Sequence, residues 1–263
     1  MAALGKRTIT TRRGLEVDVL EGGQGAPVVY QHGLTGLLPE EPMLAALAEH
    51  FMVYAPTFPG FGEHEGEEAL EDMLDFTLHG LDVLDALGLE RTALVGHSFG
   101  GMVAAEMASL QNARFDRVAL LAPFGLWIDE HPIADVFATL PFELASMLFA
   151  AAESGQKVLL GGQDFSDNEA LTAFMVANAR RMGTAGKVLF PVPNRRLSKR
   201  LPRLEAEALV VWGREDALIP AIYAGHWQKA IGSASVVEIE GAGHMLTAER
   251  PAEVAEALVK FLG

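Results

Sequence analysis

Apolar residues recur along the chain with two rhythms. Leu15 to Leu20 has the strand period of two, with Val17 and Val19 on one face, and Glu21-Gly22-Gly23 ends it. Pro27-Val28-Val29-Tyr30-Gln31 is a second apolar run, stopped by His32-Gly33. Leu44, Leu47 and Ala48 follow at helical spacing, and Phe51 to Tyr54 resumes β character. Leu70, Leu74, Leu78, Leu81 and Leu84 step by three or four residues, which predicts an amphipathic helix. Thr92–Val95 and Val118–Leu121 read as strands on either side of a small-residue helix over Met102–Leu110. Strands separated by helices of this length predict a mostly parallel sheet covered on both faces.

The rhythm breaks after Pro123. From Phe124 to about Leu204 helical patterns and loops replace strand alternation. Leu140, Leu144, Met147 and Leu148 form one apolar face, and Leu171, Phe174, Met175 and Ala179 another. The β/α rhythm returns at Ala208–Trp212 and Val236–Ile239, and a last helix runs from Pro251 to Phe261. The expectation is an α/β core over 1–123 and 205–263 interrupted by a helical insertion over 124–204.

Composition narrows the options. The 263 residues suit one large domain or one core with an insertion, and 50% apolar residues supply a sizeable core. With 35 acids against 20 bases, the net charge of −15 disfavours nucleic acid and anionic membranes as partners. The absence of cysteine excludes disulfides and thiolate nucleophiles. Met1 to Thr11 shows no signal-peptide run, and no stretch of about 18 apolar residues occurs. These features predict a soluble cytoplasmic protein acting on a small molecule, as a monomer or a homo-oligomer.

The chemistry centres on Gly96-His97-Ser98-Phe99-Gly100, between the strand ending at Val95 and the helix expected near Gly101. G-x-S-x-G in a strand–turn–helix context forces a strained turn that lifts the serine hydroxyl above the sheet and aims the helix N-terminus at it. A serine needs a base, and the base an orienting acid. Both are expected in loops at the C-terminal ends of later strands. Asp216 follows one late strand and His244 another, so Ser98, Asp216 and His244 are expected to converge. Glu215 and Asp129 are the rival acids. The oxyanion of an acyl-transfer step needs donors, for which the backbone N–H groups of Phe99 and Leu34 are placed; His32 is assigned a structural hydrogen bond.

With these residues in view, the chain resembles the α/β-hydrolase fold family over nearly its whole length. The resemblance rests on Gln31-His32-Gly33, Phe58-Pro59-Gly60-Phe61-Gly62, Gly96-His97-Ser98-Phe99-Gly100-Gly101, Trp212-Gly213-Arg214-Glu215-Asp216 and Gly243-His244. It implies an α/β fold with an eight-stranded, mostly parallel sheet, a helical cap inserted after strand six, and neither cofactor nor metal. Members that are dehalogenases or epoxide hydrolases carry Asp where Ser98 stands. Among serine members, carbon–carbon bond hydrolases typically carry Asn at the place of His97 and a glycine-rich loop at Leu34-Thr35-Gly36. The resemblance therefore implies a carboxylesterase, cleaving a small hydrophobic ester or lactone, ahead of a carbon–carbon hydrolase of ring-cleavage diketones, a perhydrolase or a thioesterase. Members that bind without catalysis usually lack a triad residue, and here all three positions are filled.

Two charged segments remain. Arg180, Arg181, Lys187, Arg195, Arg196, Lys199, Arg200 and Arg203 form a basic stretch without an acid. It reads either as a face docking on an acidic core or solvated charge, or as the source of one arginine that pairs with a substrate carboxylate at the site mouth. Glu63, Glu65, Glu67, Glu68, Glu71 and Asp72 form an acidic run beside His64, read as a loop and a first helical turn. Phe124, Leu126, Trp127, Phe137, Phe142, Met147 and Phe149 either wall a substrate pocket or pack the insertion's own core.

Overall fold

The structure is a computed structural model that describes residues 3–38, 40–140, 143–160, 167–190 and 196–263. Eight strands form one sheet: β1 (Gly5–Thr10), β2 (Glu16–Gly22), β3 (Pro27–Gln31), β4 (Met52–Pro56), β5 (Thr92–His97), β6 (Phe115–Leu121), β7 (Glu207–Gly213) and β8 (Ser235–Ile239). Their spatial order is β1-β2-β4-β3-β5-β6-β7-β8. β1 pairs antiparallel with β2, and β2 antiparallel with β4; every other pairing is parallel. This is the α/β-hydrolase fold expected from the motifs.

The helices of the core are α1 (Pro42–Leu47), α2 (Met73–Ala86) and α3 (Ser98–Leu110), and, past β7, α7 (Tyr223–Ile231), α8 (Leu246–Glu249) and α9 (Pro251–Leu262). Between β6 and β7 lie α4 (Leu144–Leu148), α5 (Ala152–Leu160) and α6 (Asn168–Leu189), with two short 3-10 turns at Leu197–Lys199 and Leu201–Arg203. No described residue between β6 and β7 belongs to a strand. The central strands β3, β5, β6 and β7 are flanked on both sides by strands and on both faces by helices. Their side chains are accordingly buried almost throughout, as a parallel sheet requires.

Along α2 the leucines divide between the two faces, Leu84 being buried. On α2, Leu74 is 55% and Leu78 44% exposed. The buried residues are Phe76, Thr77, His79, Gly80, Val83 and Leu84. α2 packs closely on α3: a Cβ at Gly80 would stand 2.5 Å from the Met107 sulfur, and the Phe76 ring lies 5.3 Å from that of Phe99. Asp72 caps α2, accepting from the N–H groups of Leu74 and Asp75 at 2.8 and 3.1 Å.

The basic stretch meets the core in places. Arg180 grips the Glu67 carboxylate through Nε and Nη2 at 2.5 and 2.6 Å, Lys187 donates to the Glu67 carbonyl, and Arg200 forks onto the buried Glu106. Arg195 and Phe142 lie outside the described residues. Among the described residues, no helix is long and apolar enough to cross a membrane.

Candidate active site

Ser98 starts α3 directly after β5, with φ of 56°, in the left-handed region a non-glycine residue rarely adopts. Two close approaches hold it there. A Cβ at Gly100 would lie 2.3 Å from the Gln31 carbonyl oxygen, and one at Gly96 2.6 Å from the Gly100 oxygen. Helix, elbow and β3 can therefore meet this tightly only where side chains are missing. Phe124 also donates its N–H to the Ser98 carbonyl at 3.1 Å, tying the end of β6 to the turn.

The three residues expected to converge do so. His244 Nε2 stands 2.7 Å from the Ser98 hydroxyl oxygen, and its Nδ1 2.8 Å from Asp216 Oδ2. Asp216 accepts two further hydrogen bonds at Oδ1, from the N–H groups of Leu218 and Ile219 at 3.0 and 2.8 Å. With its carboxylate so occupied, Asp216 can accept a proton-bearing Nδ1, which leaves Nε2 as the acceptor for the serine hydroxyl. Ser98 and His244 are each 1% exposed and Asp216 6%. The rival acids are engaged elsewhere: Glu215 accepts from the Ala242 N–H at 3.0 Å, and Asp129 from the Trp127 indole at 2.8 Å.

The N–H of Phe99 lies in the first turn of α3, where no preceding carbonyl of the helix can accept it. Leu34 sits in the turn closed by the Gly36 N–H donating to the Gly33 carbonyl at 3.1 Å. His32 beside it is structural: its Nδ1 donates to the Gly33 carbonyl at 2.8 Å, and its Nε2 accepts from the Phe58 N–H at 3.0 Å. These bonds need a neutral ring, and burial pushes its pKa down to about 4.

Two neighbours of the site carry no signal in sequence spacing. His97 donates from Nε2 to the carbonyl of His244 at 2.8 Å, so the residue before Ser98 holds the backbone at His244. Burial, and then the neighbouring His244, push the His97 pKa down to about 3, which keeps this ring neutral too. Glu249 accepts from the N–H groups of Gly243 and Ala150 at 2.7 and 2.9 Å, joining the His244 loop to the start of α5. Glu249 reads in the sequence as one of many surface acids.

Above this centre lies a cavity of about 1020 Å³ between the helices α4–α6 and the loops after β3 and β4. Its walls are largely apolar, including Leu37, Phe61, Leu148, Leu159, Leu171 and Phe174. Ser98, Phe99, Asp216 and His244 are not among its lining residues; its nearest links to them in the chain are Leu34, which follows Gly33, and Leu148, whose carbonyl accepts the Met245 N–H at 2.9 Å. Of the residues read as either pocket wall or insertion core, those described are not among its lining. Phe124 and Phe149 are buried in the core, with the Phe124 ring 6.0 Å from that of His244. Among the described residues, no group of three or more potential metal ligands is assembled. In the acidic run, His64 bonds Asp18 at 3.0 Å and Glu67 bonds Arg180.

A family model described as "Alpha/beta hydrolase family" matches residues 28–257. The chain is 28% identical to a 2-hydroxymuconate semialdehyde hydrolase of Pseudomonas sp. (strain CF600), covering 95% of this chain and 91% of the relative. It is 29% identical to a dihydrolipoyllysine-residue acetyltransferase component of the acetoin cleaving system of Cupriavidus necator. That match covers 92% of this chain, which spans only 65% of the relative's length. The enol-lactonase from Burkholderia xenovorans LB400 superposes with a TM-score of 0.75 at 20% identity, over 97% of this chain and 99% of that one.

Proposed function

Because the chain belongs to the alpha/beta hydrolase family, we propose that it is a serine hydrolase cleaving a carboxylic ester or lactone through an acyl-enzyme on Ser98. His244 takes the proton from the Ser98 hydroxyl as Oγ attacks the carbonyl carbon. Asp216 holds the imidazole in its working tautomer and stabilises the imidazolium. The N–H groups of Phe99 and Leu34 receive the negative oxygen of the tetrahedral intermediate. His244 returns the proton to the leaving alcohol, and water, activated by the same histidine, releases the acid and restores Ser98. No cofactor is required by this scheme. Residues 124–204 act as a cap over a core of 1–123 and 205–263, and the chamber beneath the cap takes the apolar part of the substrate.

The observation that carries this reading is the relay from Asp216 through His244 to Ser98, continuous at 2.8 and 2.7 Å. A fluorophosphonate probe tests it. Stoichiometric labelling that disappears in Ser98→Ala is expected, followed by turnover of p-nitrophenyl esters or lactones. An unlabelled, folded protein overturns the reading in favour of a binding role.

A second reading is favoured by the likeness to the semialdehyde hydrolase, which extends over nearly both chains. In it, the same relay hydrolyses a carbon–carbon bond of a vinylogous 1,5-diketone. Side-by-side kcat/KM values for such a diketone and for esters of matched size separate the two.

A further inference from the structure

The three members of the relay do not stand on equal supports. Ser98 and Asp216 follow β5 and β7, strands with a neighbour on each side. His244 follows β8, which lies at the end of the sheet and pairs with β7 alone. Bonds on three consecutive residues make up for the missing neighbour. The His244 carbonyl accepts from His97 Nε2 at 2.8 Å. Met245, the residue after it, donates its N–H to the Leu148 carbonyl at 2.9 Å. Gly243, the residue before it, donates its N–H to Glu249 Oε2 at 2.7 Å.

The other oxygen of the same carboxylate is spent elsewhere. Glu249 Oε1 accepts from the N–H groups of Ala150 and Ala151 at 2.9 and 3.3 Å, in the link between α4 and α5. The two segments also touch directly. A Cβ at Gly243 would stand 2.8 Å from the Ala150 nitrogen and 3.0 Å from the Leu148 carbonyl oxygen, so a side chain there would force them apart. A carboxylate suits this position because both of its oxygens only accept. A carboxamide of the same shape must turn its NH₂ toward Gly243 or toward Ala150, donor against donor. Hydrogen bonds from N–H groups to a charged acceptor are also about twice as strong as neutral ones.

We infer that Glu249 is a positioning residue for His244: its carboxylate pins the His244 loop to the α4–α5 link and so holds Nε2 at its 2.7 Å distance from the Ser98 hydroxyl. The inference rests on the serine-hydrolase reading above and adds a residue to its machinery. Glu249 makes no hydrogen bond to Ser98, Asp216 or His244 side chains; it acts through the backbone of Gly243.

The test compares Glu249→Gln with wild type, and with Glu253→Gln as a control at an exposed acid of α9. In Glu249→Gln, kcat for a p-nitrophenyl ester is expected to fall by about ten- to a hundredfold, the scale of a reacting group moved out of place, while KM stays within about twofold. The rate of fluorophosphonate labelling should fall with kcat. The low-field proton resonance of the His244 Nδ1–H, bonded to Asp216, should shift or broaden at a temperature where circular dichroism shows both proteins fully folded. The control should match wild type throughout. If Glu249→Gln does not fold, Glu249→Asp takes its place, since its shorter arm reaches one segment and not both. An unchanged kcat, a loss confined to KM, an unaltered His244 resonance or equal losses in the control each overturn the inference. The parent reading is judged on wild type alone. Wild-type protein that neither labels nor turns over esters removes the ester chemistry, while the resonance still judges the tie; a labelled wild type matched by Glu249→Gln removes only the tie.

Discussion

The reaction centre and the chamber above it are built on opposite plans. At the centre the polar atoms of the relay and its supporting histidines have partners. Asp216 accepts three hydrogen bonds, His97 holds the His244 carbonyl, and the neutral His32 bridges Gly33 and Phe58. These groups hang from the ends of strands in a sheet packed on both faces. The chamber is walled by the helices between β6 and β7, with apolar side chains and few polar anchors. In the proposed reaction, the fixed polar array would set the chemistry and the apolar enclosure would select among substrates by shape.

The strongest challenge to that contrast is removal of the centre itself. Ser98→Ala and His244→Ala are each expected to lower kcat by at least about 10⁴-fold, with little change in thermal midpoint, as read by ester turnover and calorimetry. Asp216→Asn should cost about 10³- to 10⁴-fold, because an amide cannot hold the working tautomer. Rates near wild type in any of these would mean the relay is not the machinery. A chamber substitution should behave differently. Leu159→Ala is expected to raise KM for an ester with a long apolar chain by roughly fivefold while kcat holds, the scale of a few lost methylene contacts. An equal fall in kcat would mean the wall also positions the reacting groups.

The smallest effect is on stability. Burial holds His32 and His79 at about 4 and His97 at about 3, all below the unfolded value of 6.5. Between those values the unfolded chain binds more protons, so stability falls as pH drops through 6.5 toward 4. Glu41, raised by burial to about 7 from 4.5, opposes this between those two values with one proton against three. The net expectation is a urea midpoint that declines steadily from pH 6.5 to 4.5. A midpoint rising over that range would show that these rings are not buried neutral.

Much of the site was legible because its residues are tied to backbone form. An elbow needs glycines where Gly96 and Gly100 approach carbonyls, and a strand end announces the loops carrying Asp216 and His244. The parallel strands were legible from their continuous apolar runs. β1 was not, because it is an edge strand with a single buried residue, Ile9, and so lacks a pattern. On α2 the leucine stripe was a partial guide, since Leu84 is buried while Leu74 and Leu78 are exposed, and Phe76 and Gly80 make the contact with α3. The bonds of His97 and Glu249 were not legible, because their partners are main-chain atoms far along the chain. The chamber escaped for a related reason: an apolar wall and an apolar core have the same composition, and only three-dimensional placement parts Phe174 from Phe124.

The left-handed backbone at Ser98 ties the lifetime of the active enzyme to that of its framework. Such a conformation costs about 1–3 kcal/mol and persists only while the surrounding elements impose it. Loosening of the junction between β5 and α3 would let the hydroxyl relax away from the imidazole without any chemical damage. Heat inactivation should therefore be reversible on cooling in step with refolding, and no partly melted species should retain turnover.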